Sequence, residues 1–181
     1  MDVAPITLAV KQNQNPATRD FRDWRRRASE AVALVGTPCY VAAWRPVAEA
    51  LTGIEEVAGK VPLRSWLSFK THPLPALAAE WLRAGRGVEV VSESELLTVM
   101  RLGCAVDRLL VNGVAKHTWL RRYPIHGLRV HFDSLGEIEA LSALAVTCRW
   151  RVGVRCHVPD ECDRREPHFS GQFGMSHAEA V

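Results

Sequence analysis

Five short apolar runs recur along this chain at a nearly constant interval, and that interval limits the fold more than any other feature. The runs are Trp66–Phe69, Val88–Val91, Leu109–Val111, Leu128–Phe132 and Trp150–Val154, and each closes on a polar or ionisable residue. Those closing residues, Lys70, Ser92, Asn112, Asp133 and Arg155, follow one another at 22, 20, 21 and 22 residues. Runs of this length and composition read as strands. Strand–helix units of constant length, with strand bodies apolar enough to be buried on both faces, require a parallel sheet wrapped by helices. The fold class that fits best is α/β of the (β/α)8 TIM-barrel type. The alternative is an open doubly wound sheet, but no Gly-x-Gly-x-x-Gly turn follows the first strand. In a barrel the strand ends form one ring on the face where sites are built, so the five closing residues are expected to converge there.

A closed barrel needs eight strands, and three more units at the same interval would take roughly 63 further residues. The 181 residues therefore hold about the first five β/α units plus an N-terminal extension, which predicts an open section with apolar edges, a fragment or a half completed by another chain. Residues 1–36 form the extension, with a strand at Ile6–Val10 and a helix from Asp20 to Val35 that stops at Gly36. Residues 37–181 form the partial barrel. It opens with a short buried strand at Cys39–Ala43 and a helix from Arg45 to Ala58, with Pro46 in its first turn. The stretch Leu63–Pro73 reads as a strand ending at Lys70, with Pro73 suited to the first turn of a helix; Pro75–Ala84 has that helical spacing and is stopped by Gly85. Ser92 and Glu95 have the spacing of a capping box, with Leu96, Leu97 and Met100 as the buried stripe.

Charge and cysteine content narrow the function. A net charge of +3 with acidic residues interspersed throughout gives no nucleic-acid or membrane partner, and Arg25–Arg27 lies within an amphipathic pattern as the solvated face of a helix. The five cysteines form no Cys-x-x-Cys pair and are odd in number, which fits a reducing compartment. Cys156, His157 and Cys162 have no second ligand cluster beside them, so no metal site is expected. There is neither a signal-type N-terminus nor a run of about 18 apolar residues, and a cytoplasmic location is expected.

Lys70 taken alone is a solvated lysine at a strand end. Its surroundings change that reading. Ser68–Phe69–Lys70–Thr71–His72–Pro73 is similar to the Tyr-Ala-Val-Lys-Ala-Asn-Pro signature of the fold-type III pyridoxal-phosphate decarboxylases, the diaminopimelate, ornithine and arginine decarboxylase group. Glu89–Leu96 resembles that family's Asp-Val-Val-Ser-x-x-Glu-Leu. Thr37–Val41, Val111–Gly113 with Lys116, Phe132–Ser134, Val152–Arg155 and Gln172–Met175 continue the likeness in the family's order, over about residues 36 to 181.

The resemblance implies an alanine-racemase-like barrel, pyridoxal 5′-phosphate as cofactor, and Lys70 as the Schiff-base lysine. An imine to the cofactor provides an electron sink for loss of the substrate carboxylate. It further implies that Glu89 stands as the acid beside that lysine, one methylene longer than the usual Asp. Ser92 and Glu95 would line the cofactor floor, Arg155 would lie near the ring, and Ser68 and His72 would flank the lysine. Three further positions depart from the family: His72 replaces Asn, Ser68 replaces Ala, and Gln172 replaces a Lys or Arg, so substrate preference is expected to differ. His157 and His168 match no family histidine. The family's phosphate loop, its pyridinium partner and its β-domain lie after residue 181, so the 181 residues alone are expected to be inactive. The implied partners are an amino-acid substrate and, at full length, a second copy in a homodimer. A racemase or epimerase using the same lysine, and a non-catalytic barrel-half binding module, are the alternatives.

Overall fold

A computed structural model describes residues 21–58, 64–157 and 173–180, and the chain divides into two compact units between Gly59 and Lys60. The expected strand at Ile6–Val10, together with Leu63, Cys162, His168 and Gln172, lies outside the described residues. In the first unit, helix α1 spans Phe21–Val35 and helix α2 spans Trp44–Ala58. Gly36 closes α1 with a φ of 78° and a bond from its N–H to the Val32 carbonyl, a conformation in which a side chain is strained. Arg26 pairs with Glu30 at 2.6 Å and Arg45 with Glu49 at 2.8 Å, each one helical turn apart. Cys39–Ala43, expected as a buried strand, pairs with no strand among the described residues and leaves Tyr40 and Val41 exposed. Its apolar composition suits a strand, but among the described residues no backbone bonds to satisfy its ladder.

The second unit is a five-stranded parallel sheet in the order β1–β2–β3–β4–β5, with β1 Trp66–Ser68, β2 Gly87–Val90, β3 Leu109–Val111, β4 Arg129–Phe132 and β5 Arg151–Val154. Each strand pairs with the one made immediately before it. The reversal of strand order that defines a doubly wound sheet does not occur among these five, and the arrangement is compatible with part of a barrel.

Alternation along the strands separates two faces. Val88, Val90, Leu109, Val111, Val130 and Phe132 lie on one face, all of them buried. This is the helix-covered face: helices α3 (Pro75–Arg83) and α4 (Glu93–Arg101) contact β2, and helix α5 (Leu135–Thr147) contacts β4. The other face carries Trp66, Ser68, Glu89, Leu110, Arg129, His131 and Arg151. The expectation of strands apolar on both faces thus fails for the open face, where only Leu110 is both apolar and buried. At the far edge the helix-covered face also runs out. Val152 and Val154 are 56% and 46% exposed, the apolar edge expected of an open section.

Local chemistry sets the connections. β1 is shorter than its alternating pattern suggests, because Phe69–Thr71 coils into a 3-10 turn with Phe69 buried beneath it. Pro73 stays in the loop. Pro75 instead takes the first position of α3, where its missing N–H would have had no partner. The connection from β3 to β4 contains no α-helix, only 3-10 turns at Lys116–Thr118 and Leu120–Arg122 that bury Trp119 and Leu120. Pro124 and Gly127 leave too little uninterrupted chain there for a helix to form. No helix among the described residues is long and apolar enough to cross a membrane.

Candidate functional site

The open face is assembled row by row. In the row nearest the strand starts, Trp66 lies across Gly87, where an added Cβ would fall 2.3 Å from the indole, and the Arg129 guanidinium sits 5.9 Å from the ring centre. One row up, Ser68 stands opposite Glu89, and its hydroxyl donates to the Glu89 carboxylate at 3.3 Å. In the next row β4 presents His131 opposite Gly153, and a Cβ on that glycine would fall 2.7 Å from the imidazole Cδ2. Burial lowers the His131 pKa below its ordinary value, against the pull of Glu89 and with the aid of Lys116 and Arg155.

Two matching devices fix the strand ends to their helices. At the start of α4, Ser92 accepts the Glu95 N–H at 3.3 Å, and Glu95 returns a carboxylate oxygen to the Val91 N–H at 2.8 Å. At the start of α5, Ser134 accepts the Glu137 N–H at 3.3 Å, and Glu137 returns to the Asp133 N–H at 2.9 Å. A capping box in its usual form would return the carboxylate to the cap residue itself. Here it reaches one residue further back and pins the residue that follows the strand.

Glu137 does more. It accepts the Lys116 backbone N–H at 2.9 Å and pairs with the Lys116 ammonium at 2.6 Å, both side chains being fully buried. The ammonium also donates to the Gly113 carbonyl. Burial lowers the Lys116 pKa, with Glu137 and Asp133 opposing the shift. Beside this pair, Asp133 is nearly buried and accepts from Arg155 at 3.2 Å, while the Arg155 guanidinium lies 4.6 Å from the centre of the Phe173 ring. Phe173 arrives there because the chain after it runs alongside residues 155–157, Met175 bonding to the Arg155 carbonyl at 2.7 Å and the His157 N–H bonding to the Met175 carbonyl at 3.0 Å. Gly174 permits this approach. Its φ is 90°, and a Cβ would meet the Arg155 carbonyl oxygen at 2.9 Å.

The residues singled out from the sequence fall into four groups. Ser68 and Glu89 meet on the open face; Ser92 and Glu95 meet at the head of α4; Arg155 is joined to Asp133 at the end of β5. Lys70 and His72 lie exposed in and just after the 3-10 turn that ends β1, and among the described residues Lys70 makes no ion pair. The Lys116–Glu137 pair and His131 were not among them. Ser134–Leu135–Gly136–Glu137 repeats the Ser-x-x-Glu spacing of residues 92–95, and that repetition was the available signal for Glu137. Among the described residues no group of His, Cys, Asp and Glu is placed to hold a metal ion.

The groups present suit the aldehyde end of pyridoxal phosphate. An exposed amine stands at a strand end and, among the described residues, a carboxylate one strand away holds only a serine hydroxyl and the buried Asn112 side-chain oxygen has no hydrogen-bond partner.

No family model matches the chain. The diaminopimelate decarboxylase of Zymomonas mobilis subsp. mobilis is 27% identical over 155 residues, covering 83% of this chain and 36% of that protein. This chain is similar to a diaminopimelate decarboxylase. In fold it is similar to the crystal structure of AQ1208 from Aquifex aeolicus, with a TM-score of 0.59 and 23% identity over 72% of this chain and 33% of that one. The chain spans about a third of the length of each.

Proposed function

We propose that this chain is the N-terminal portion of a pyridoxal-phosphate-dependent amino-acid decarboxylase, its barrel segment being residues 37–181, and that Lys70 is the residue that holds the cofactor. The similarity to a diaminopimelate decarboxylase over 83% of the chain carries the reading. Bound pyridoxal phosphate supplies the electron sink for the charge left when a carboxylate departs as carbon dioxide. The protein's own residues prepare the place. The Lys70 amine is exposed for attack on an aldehyde carbon. Glu89, held by the Ser68 hydroxyl, is positioned to take up or return a proton at an amine nitrogen on the open face. Arg155 keeps a fixed direction because Asp133 and Phe173 grip it from two sides. Ser92 and Glu95 act from behind, pinning the end of β2 and so the position of Glu89. His72, exposed just after the lysine, is proposed to border the cofactor. The phosphate and the pyridine nitrogen need partners from outside these residues, so the 181-residue chain is expected to bind the cofactor weakly and to turn over no substrate. A homodimer of the full-length enzyme is the proposed assembly.

The test is an absorption spectrum of the chain mixed with pyridoxal phosphate, followed by borohydride reduction and peptide mapping, with Lys70→Ala alongside. The expected result is a visible band that reduction abolishes, cofactor mass on the Lys70 peptide, and neither in the variant. Cofactor on the other lysines of the chain at the same level in both proteins, with none gained at Lys70, would refute the assignment.

A further inference from the structure

Asn112 and His131 are neighbours whose polar atoms remain unused. The Asn112 N–H bonds to the Val90 carbonyl at 2.9 Å, which carries the β2–β3 ladder one residue past β3. Because Val111 is in register with Val130, Asn112 stands beside His131, and alternation puts both on the open face. The Asn112 Oδ1 atom is buried without a hydrogen-bond partner. The half-buried His131 ring makes no hydrogen bond among the described residues. Polar groups removed from water are almost always paired, so the unpaired Asn112 oxygen requires an explanation, and the unused His131 ring lies beside it.

The charged groups facing the imidazole narrow what completes the pair. Lys116 and Arg155 are already committed to Glu137 and Asp133. Glu89, in the row below, receives only the Ser68 hydroxyl and makes no ion pair among the described residues. An entering group therefore meets the Glu89 carboxylate, the Asn112 amide oxygen and the His131 imidazole, and the two oxygens both call for a hydrogen-bond donor. Gly153 sets the ring in this place, since any side chain there would collide with it.

We propose that Asn112 and His131 form a ligand-contacting subsite that receives a hydrogen-bond-donating group, either the ring hydroxyl of pyridoxal phosphate or the amine of an amino acid seated beside it. The proposal rests on the cofactor reading above. The test uses NMR of the 181-residue chain carrying ring-13C histidine, with His131 assigned by His131→Gln. Pyridoxal phosphate, 3-deoxypyridoxal phosphate and L-lysine added to the cofactor-loaded chain serve as probes, and capture at Lys70 is read separately by borohydride fixation. A His131 signal moved by pyridoxal phosphate but not by the 3-deoxy analogue identifies the hydroxyl; a signal moved only when L-lysine is added identifies the amine. In either case Asn112→Leu is expected to weaken binding of the group so identified by about tenfold, the scale of one lost hydrogen bond. Capture at Lys70 with the His131 signal unmoved by every probe would overturn the subsite and leave the cofactor reading standing. Absence of capture at Lys70 would overturn both.

Discussion

Glu137 should be the least replaceable side chain of the sheet unit, and Glu137→Ala tests why. The substitution removes the carboxylate paired with the fully buried Lys116 ammonium, together with the acceptor for two backbone N–H groups, those of Lys116 and Asp133. An uncompensated buried charge costs about 3–5 kcal/mol, and each orphaned donor about 1–3 kcal/mol. These costs overlap once water enters the gap, so a loss of about 5 kcal/mol is expected, comparable to the whole stability of a small domain at about 5–15 kcal/mol. The control is built into the fold. Glu95 makes the same backbone return, to Val91, but holds no buried ammonium, so Glu95→Ala is expected to cost about 1 kcal/mol. Urea denaturation followed by tryptophan fluorescence reads both. At a slope of about 2 kcal/mol/M, Glu137→Ala should lower the midpoint by about 2.5 M and Glu95→Ala by about 0.5 M. Equal shifts in the two variants would show that the buried ion contributes nothing beyond the cap.

Two further outcomes are expected. Gly87→Ala drives a methyl to 2.3 Å from the Trp66 ring, so the indole must leave its place; a loss of about 1–3 kcal/mol and a changed near-ultraviolet circular dichroism spectrum should result, and an unchanged spectrum would contradict the packing described. Burial raises the Cys104 pKa to about 11, outweighing the nearby Arg108. At pH 8 only about one thiol in a thousand is then ionised, and iodoacetamide followed by peptide mass spectrometry should modify exposed Cys156 well before Cys104.

The parallel sheet was legible in the sequence because its signals are local. The interval between Lys70, Ser92, Asn112, Asp133 and Arg155 marks successive strand ends, and five parallel strands in sequential order stand where it predicts them. What misled was composition without context. Cys39–Ala43 has the residues of a strand and pairs with none among the described residues, and the third connection has the length of a helix but a proline and a glycine that interrupt it. The polar character of the open face was hidden because a strand such as Leu128–Phe132 reads as apolar until alternation assigns Arg129 and His131 to one side. The Lys116–Glu137 pair was harder still. Its members are 21 residues apart, and a lysine in a loop ordinarily belongs to solvent.

The sequential strand order has a consequence for how the sheet is made. Paired residues lie at positions 68 and 89, 89 and 110, 110 and 129, and 129 and 151, so every strand meets its partner within 22 residues of chain. Loop closure over such short spans has a small entropic cost, and none of these pairings waits for a distant segment. During synthesis at about 5–20 residues per second, a new strand would leave the ribosome every 1 to 4 s or so and find its template already laid down. The exception is the turn bearing Lys116, whose ammonium acquires its carboxylate only when Glu137 emerges. The growing sheet is therefore locked one unit behind its leading edge.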